Sequence, residues 1–187
     1  MDDSRLVAGL KSGSEEAFER LFEGYKDRLF NVVFRIVGDP ESSEDVVQEV
    51  FLKALRNIEA FNEESTLYTW LYRIAVNAAV DFRKKFGHKG TVSIHRFEGA
   101  EDLLPSREDP PDREPQRKEM AALLREAMDR LSEKHRTILV LREFEGLSYE
   151  EIAAVLGCPV DEVRWKLHAA RRRLRRRLAP LLGAEES

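Results

Sequence analysis

The 187 residues carry 42% hydrophobic and 35% charged side chains and a formal net charge of -4, a balance that suits compact helical domains with solvated faces and argues against a generic polyanion binder. One cysteine, Cys158, excludes an intrachain disulfide and any multi-cysteine metal site. No run approaches the roughly 18 consecutive apolar residues needed to span a bilayer, and the acidic start Met1-Asp2-Asp3-Ser4 lacks a following signal-like apolar segment, so a cytoplasmic protein without membrane insertion is expected.

Helical spacing first appears at Phe18, Leu21, Phe22, Tyr25, Leu29, Val32, Val33 and Ile36, one stripe of a long helix with Ser12 and Glu15 placed to cap its start and Gly38-Asp39-Pro40 to end it. A second helix is expected from Ser42, with Asp45 as its capping-box partner and Val46, Val47, Val50, Phe51, Ala54, Leu55 and Ile58 facing inward. The third runs from about Ser65 or Thr66 to about Lys85 on the stripe Leu67, Leu71, Ile74, Ala75, Ala78 and Phe82. Its other side carries Thr66, Trp70, Arg73, Asn77, Asp81 and Lys84, spaced three and four apart. An aromatic, two cations and an amide on one helix face suit unstacked bases and their backbone. The same spacing also allows Trp70 to pack on Phe61 or Tyr72, with Asn77 merely exposed.

Periodicity stops after this helix. Gly87 to Pro115 holds four of the seven prolines, and Glu98 to Glu119 sets eight acids against four bases. Such a segment buries too little apolar surface to offset its ordering entropy, so it reads as a flexible acidic linker. The chain divides into residues 1–86, a linker over 87–114, and residues 115–187.

Beyond the linker, Met120, Leu124, Ala127, Met128 and Leu131 form a further helical stripe, and Ser132 opens a helix that stops at Gly146. Ser148 and Glu151 then make a capping box, spanned by Leu147 and Ile152 as a hydrophobic staple. The short helix carrying Ile152, Ala153 and Leu156 ends at Gly157-Cys158-Pro159, where a positive φ is needed at the glycine and Cys158 takes a small apolar slot. A longer helix comes next, capped by Asp161, with Val163, Leu167, Ala170 and Leu174 inside. Short helix, glycine turn and basic helix have helix-turn-helix spacing. Eight Lys/Arg against two acids between Asp161 and Ala179 point the same way. Glu162, Arg164, Trp165, Lys166 and His168 are placed to reach base edges, and Arg171, Arg172 and the arginines after them to line phosphates; Trp165 is equally suited to anchor a partner protein, and the arginine run to be a solvated helix end favoured by the dipole.

The run Ser43-Glu44-Asp45-Val46-Val47-Gln48-Glu49-Val50-Phe51-Leu52-Lys53-Ala54-Leu55, with Phe61 and Thr69-Trp70-Leu71-Tyr72-Arg73-Ile74-Ala75-Val76-Asn77 behind it, resembles region 2 of the extracytoplasmic-function sigma factors of the sigma-70 family. Leu131 to Leu174, including Leu147-Ser148-Tyr149-Glu150-Glu151-Ile152-Ala153, is similar to their region 4. The resemblance implies an all-α fold of two small domains, a region 2 helical bundle and a region 4 helix-turn-helix, that carries core RNA polymerase to promoter DNA. It assigns Asp45, Gln48, Glu49 and Leu52 to the coiled coil of the largest polymerase subunit. It assigns the loop from Phe61 to Ser65 to capture of a flipped −10 base, Arg73, Asn77 and Asp81 to −10 reading beside Trp70 and Lys84, and the helix from Glu162 to the −35 element. The family commonly carries Thr, Ser, Arg and Arg where this chain has Glu162, Trp165, Lys166 and Ala169, so the −35 sequence read is not carried over. An anti-sigma factor is an implied further partner.

No cofactor, metal site or catalytic role is expected: there is no glycine-rich phosphate loop, no nucleophile elbow, and no ligand spacing among His88, His95, His135 and His168. A helix-turn-helix regulator acting without polymerase would explain the C-terminal half but leave the first 85 residues unassigned.

Overall fold

A computed structural model describes residues 3–62, 65–86 and 114–181. Eight α-helices, one 3-10 turn and one π turn make up its regular structure, and the described residues contain no strand. The predicted linker lies outside the described residues, apart from the first residue of the helix after it.

The N-terminal group comprises α1 (Asp3–Lys11), α2 (Glu15–Val37), α3 (Pro40–Asn57), a 3-10 turn (Ile58–Ala60) and α4 (Leu67–Phe86). Helices α2, α3 and α4 pack on one another around Leu21, Leu29, Val32, Val33, Ile36, Val50, Ala54, Leu71 and Ala75. The first helix, α1, is absent from the sequence reading; it buries Leu6, Val7 and Leu10 against α2. Gly9 allows that approach, since a Cβ there would lie 2.8 Å from the Ala17 Cβ.

Two helix starts differ from expectation. Ser14, not Ser12, caps α2 by accepting from the Ala17 N–H. Asp39 caps α3, accepting from the Ser42 N–H at 2.8 Å with Pro40 in the first turn, so this helix begins ahead of Ser42. Ser42 and Ser43 are thereby buried, and the Ser43 hydroxyl donates to the Asp39 carbonyl. The start of α4 agrees with the sequence: Thr66 Oγ1 accepts from the Thr69 N–H at 3.1 Å.

The C-terminal group comprises α5 (Glu114–Asp129), α6 (Glu133–Leu139), a π turn (Val140–Phe144), α7 (Tyr149–Leu156) and α8 (Val160–Leu181). Both halves of the capping box are made, and Leu147 and Ile152 are buried across it. Gly157 has φ 64°, the left-handed conformation that the tight α7–α8 turn requires. Helix α8 opens one residue before Asp161, with Pro159 accepting from the Glu162 and Val163 N–H groups, while Asp161 turns to Arg164. Val163, Leu167 and Ala170 are buried against α6 and α7, and Leu174 is half-buried.

The two groups meet along α4. A second buried stripe on that helix, Tyr72, Val76, Ala79 and Arg83, lies one residue beyond the predicted one, and α7 and α6 pack against α4. The π turn adds one residue to the end of α6 and rotates the last turn, bringing Phe144 and Glu145 to α2 and α4. The Glu145 carboxylate accepts from Arg35 Nη1 at 2.6 Å and from the Tyr72 hydroxyl at 2.9 Å. Burial, and then the neighbouring Glu145 charge, hold the Tyr72 phenol far above its ordinary range.

Candidate nucleic-acid interface

Three outward faces carry the predicted site residues. On α3, Asp45, Gln48, Glu49 and Leu52 are all exposed and follow i, i+3, i+4, i+7 spacing, so one stripe presents two carboxylates, an amide and an apolar side chain. Leu52, 52% exposed, is among the few large hydrophobic side chains left in solvent, and its neighbour Lys53 pairs with Glu49 at 2.7 Å. The opposite side of α3 buries Val46, Val47, Val50, Phe51 and Ala54, which fixes the direction in which this stripe points.

On α4, Asn77, Asp81 and Lys84 are exposed in one row, with Lys84 3.5 Å from Asp81. The aromatic end of the face is more enclosed than an open stacking platform. Phe61 is only 4% exposed and Trp70 is half-buried against it, with ring centroids 5.3 Å apart and planes tilted by 53°. The Phe61 carbonyl accepts from Lys11 Nζ at 2.9 Å, so α1 helps hold the loop, and Ser65 is half-buried. Arg73 is exposed, yet its Nε and Nη2 donate to the Ala154 carbonyl of α7 at 3.2 and 2.5 Å.

On α8, Arg164, Trp165, His168, Arg171 and Arg172 are exposed, and Glu162 and Lys166 are half-exposed. Local pairs organise the row: Arg164 with Asp161 at 3.1 Å and Lys166 with Glu162 at 2.5 Å. Lys166 therefore partly neutralises the acid that would otherwise face phosphates. Trp165 is 59% exposed, the largest apolar surface on this helix. Arg171, expected among the phosphate-lining arginines, donates twice to Glu143 at 2.7 and 2.8 Å, a bond that also raises its guanidinium pKa. Farther along α8, Arg172, Arg173, Arg175, Arg176 and Arg177 are exposed.

Sequence reasoning missed Arg35, Tyr72, Arg83, Arg136 and Glu145, the polar groups at the seam between the two helical groups. A signal existed for two of them. Tyr72 and Arg83 share a 3.6-residue stripe with Val76 and Ala79, and a second stripe on a helix announces a second packing partner.

Among the described residues, no group of three or more His, Cys, Asp or Glu is arranged to hold a metal ion, and no helix is long and apolar enough to cross a membrane. Residues 21–87 match Sigma-70 region 2 and residues 121–174 match Sigma-70, region 4, so the α3 and α4 faces fall in one family segment and the α7–α8 pair in the other. The chain is 39% identical over 184 residues to the RNA polymerase sigma-H factor of Pseudomonas aeruginosa, covering 96% of this chain and 95% of that one. It is 36% identical to the ECF RNA polymerase sigma-E factor of Haemophilus influenzae (97% and 98% covered) and 34% identical to that of Escherichia coli (97% and 97%). CnrH, solved in complex with the cytosolic domain of CnrY, superposes with a TM-score of 0.67 at 25% identity over 98% of this chain and 99% of that one. The sigma factor RpoE of Bartonella quintana, solved with the anti-sigma factor NepR, shares the fold at a TM-score of 0.62 and 24% identity, over 86% and 96%. The chain belongs to the extracytoplasmic-function sigma factors of the sigma-70 family, which are transcription initiation factors.

Proposed function

We propose that the α3 stripe binds the coiled coil of the largest subunit of core RNA polymerase, that α4 reads and helps melt the −10 element, and that α8 reads the −35 element. The family segments, residues 21–87 and residues 121–174, support this division; polymerase and −10 DNA are assigned to the first and −35 DNA to the second. The observation that carries the reading is that α3 and α8 keep their polar stripes outside while burying the opposite face, and that α4 leaves Asn77, Asp81 and Lys84 exposed.

Each stripe has the chemistry its partner needs. Carboxylates at Asp45 and Glu49 complement basic residues on a partner helix, with Leu52 as the apolar anchor. Asn77 offers an amide to a base edge, and Lys84 a cation to the backbone. Trp70, held by Phe61, supplies a fixed edge against which a base can be unstacked, a step costing a few kcal/mol. Trp165 meets thymine methyl groups in the major groove, Arg164, Lys166 and His168 meet base edges, and Arg171 and Arg172 meet phosphates. Glu162, tied to Lys166, is oriented to accept from cytosine. The protein works in the cytoplasm, requires no cofactor and catalyses nothing by itself. An anti-sigma factor is a further partner; CnrH, which shares this fold, was solved in complex with the cytosolic domain of CnrY.

Run-off transcription with core polymerase and a genomic promoter library tests the proposal. Addition of the chain should create promoter-dependent transcripts that share one −35/−10 pair; sequence-specific DNA binding without any dependence on core polymerase would refute it.

A further inference from the structure

The arginines of α8 do not all face one way. Arg171 turns to Glu143 on the π turn. Arg173, two residues on and so about 200° around the helix, turns to the opposite flank, beside the turn that joins α5 to α6. There Arg173, Arg176 and Arg177 face Arg130, Leu131 and Ser132 across an open cleft of about 420 Å³. His135 joins the two walls, its Nδ1 lying 2.6 Å from the Ser132 hydroxyl and 3.5 Å from Arg173 Nη1.

Four guanidinium groups around one concavity form a costly arrangement unless a counter-charge enters it. Arg173 and Arg177 stand at i, i+4, where like charges repel, and Arg130 adds a cation from the other wall. Among the described residues, no carboxylate pairs with Arg173, Arg176 or Arg177. Arg130 has one, Glu126, an exposed i, i+4 partner that solvent screens. A solvated helix end would carry its arginines alone; here a second element brings Arg130 and a hydroxyl to the same hollow. Guanidinium forks match phosphate oxygens in pairs. Four forks in a hollow within the range of small-ligand pockets, about 300–1,000 Å³, suit several phosphate groups in series rather than a single ion.

The cleft is set off from the surface assigned to −35 DNA. Arg173 and Arg177 lie about 12 and 18 Å beyond Trp165 along the helix axis, at about 1.5 Å per residue. A major groove is about 12 Å wide and takes the N-terminal part of a recognition helix.

We propose that the cleft between the α5–α6 turn and the C-terminal part of α8 binds a soluble polyphosphate anion, two or more phosphate groups in series, at a site separate from the promoter. The separation from promoter DNA rests on the −35 assignment of α8; the anion site itself does not.

Calorimetric titration of the purified chain with inorganic tripolyphosphate, at ionic strength matched to a titration with inorganic phosphate, tests it. Tripolyphosphate should bind one to one and at least tenfold more tightly than phosphate. Arg130→Gln and Arg177→Gln, one from each wall, should each weaken it about tenfold. Arg177→Lys, which keeps the charge and loses the fork, should fall between the parent and Arg177→Gln. Lys134→Gln removes an equal charge from the exposed side of α6 outside the cleft and should change the affinity less than twofold. Circular dichroism confirms that each variant keeps its helices.

A second arm repeats the titration on chain saturated with a −35 duplex, where tripolyphosphate affinity should stay within about twofold. Tripolyphosphate that binds no better than phosphate, or a Lys134→Gln effect equal to that of Arg177→Gln, would overturn the site. Displacement of tripolyphosphate by the duplex would show that the cleft serves the DNA backbone and would overturn its separateness. A duplex that does not bind would count against the −35 assignment and leave the first arm intact.

Discussion

Arg83 and Arg136, 53 positions apart, both donate to the carbonyl of Ile36, at 2.8 and 3.1 Å. Ile36 lies in the last turn of α2, where carbonyls have no partner in the helix and the dipole is negative, so two guanidinium groups replace the missing donors. Both arginines are buried, and burial lowers the Arg83 pKa. Arg136 also pairs with Asp129. The two helical groups thus share one anchor point at the end of α2.

Replacing Arg83 by Met should cost about 2–3 kcal/mol, because a hydrogen bond from a charged donor is lost and a buried carbonyl keeps one fewer partner. Urea unfolding followed by circular dichroism measures it. A midpoint unchanged from the parent would show that Arg136 alone satisfies Ile36.

Glu49→Lys should weaken binding to core polymerase roughly tenfold, about 1.4 kcal/mol, by putting a cation where the stripe offers a carboxylate. Stability should change little, since Glu49 is exposed and its pair with Lys53 is a solvent-screened i, i+4 contact. Equilibrium titration against labelled core polymerase checks the affinity; an unaltered value would remove α3 from the interface.

Asn77→Ala should impair selection of the −10 element while leaving core binding as it was. Asn77 is exposed, and the same helix buries Ala75, Val76, Ala78 and Ala79 around it, so the truncation removes an amide without disturbing the bundle. Discrimination between matched and single-substituted −10 promoters should fall by about 1–3 kcal/mol at the position it reads. Equal transcription from both enzymes at the cognate promoter would dismiss the assignment.

The α7 cap gives a pH-dependent contribution to stability. The backbone N–H of Ser148, followed by its side chain, holds the Glu151 carboxyl below its ordinary range. The group binds fewer protons folded than unfolded, so its contribution is complete above the ordinary glutamate range and fades as pH falls through the lower folded value. Glu151→Gln, which removes the titrating carboxyl, should flatten the acid limb of the stability curve, whereas Ser148→Ala, which keeps the backbone donor, should cost about 1 kcal/mol at neutral pH. Parallel acid limbs in parent and Glu151→Gln chains would contradict this.

Local physics explains what was legible in the sequence. Gly157, the Ser148–Glu151 box and the stripes on α2, α3 and α8 are set by neighbours within a few residues, and all appear where the sequence places them. Helix starts were less secure, because Ser12, Ser14, Asp39 and Ser42 are all competent caps and tertiary packing decides among them. The stripe of α1 is too short to stand out from three residues alone. Seam contacts were out of reach: Arg35 and Glu145 are 110 positions apart, and nothing in either neighbourhood names the other. The Phe61–Trp70 pair was one of two arrangements the spacing allowed.

The central claim is tested most directly by the association of the purified chain, with no inhibitor present, with core RNA polymerase in analytical ultracentrifugation. A stable one-to-one complex is predicted, one that weakens with Glu49→Lys and gains promoter-specific binding. A chain that sediments apart from core polymerase at every concentration, while still binding DNA through its arginine-rich helix, would contradict it.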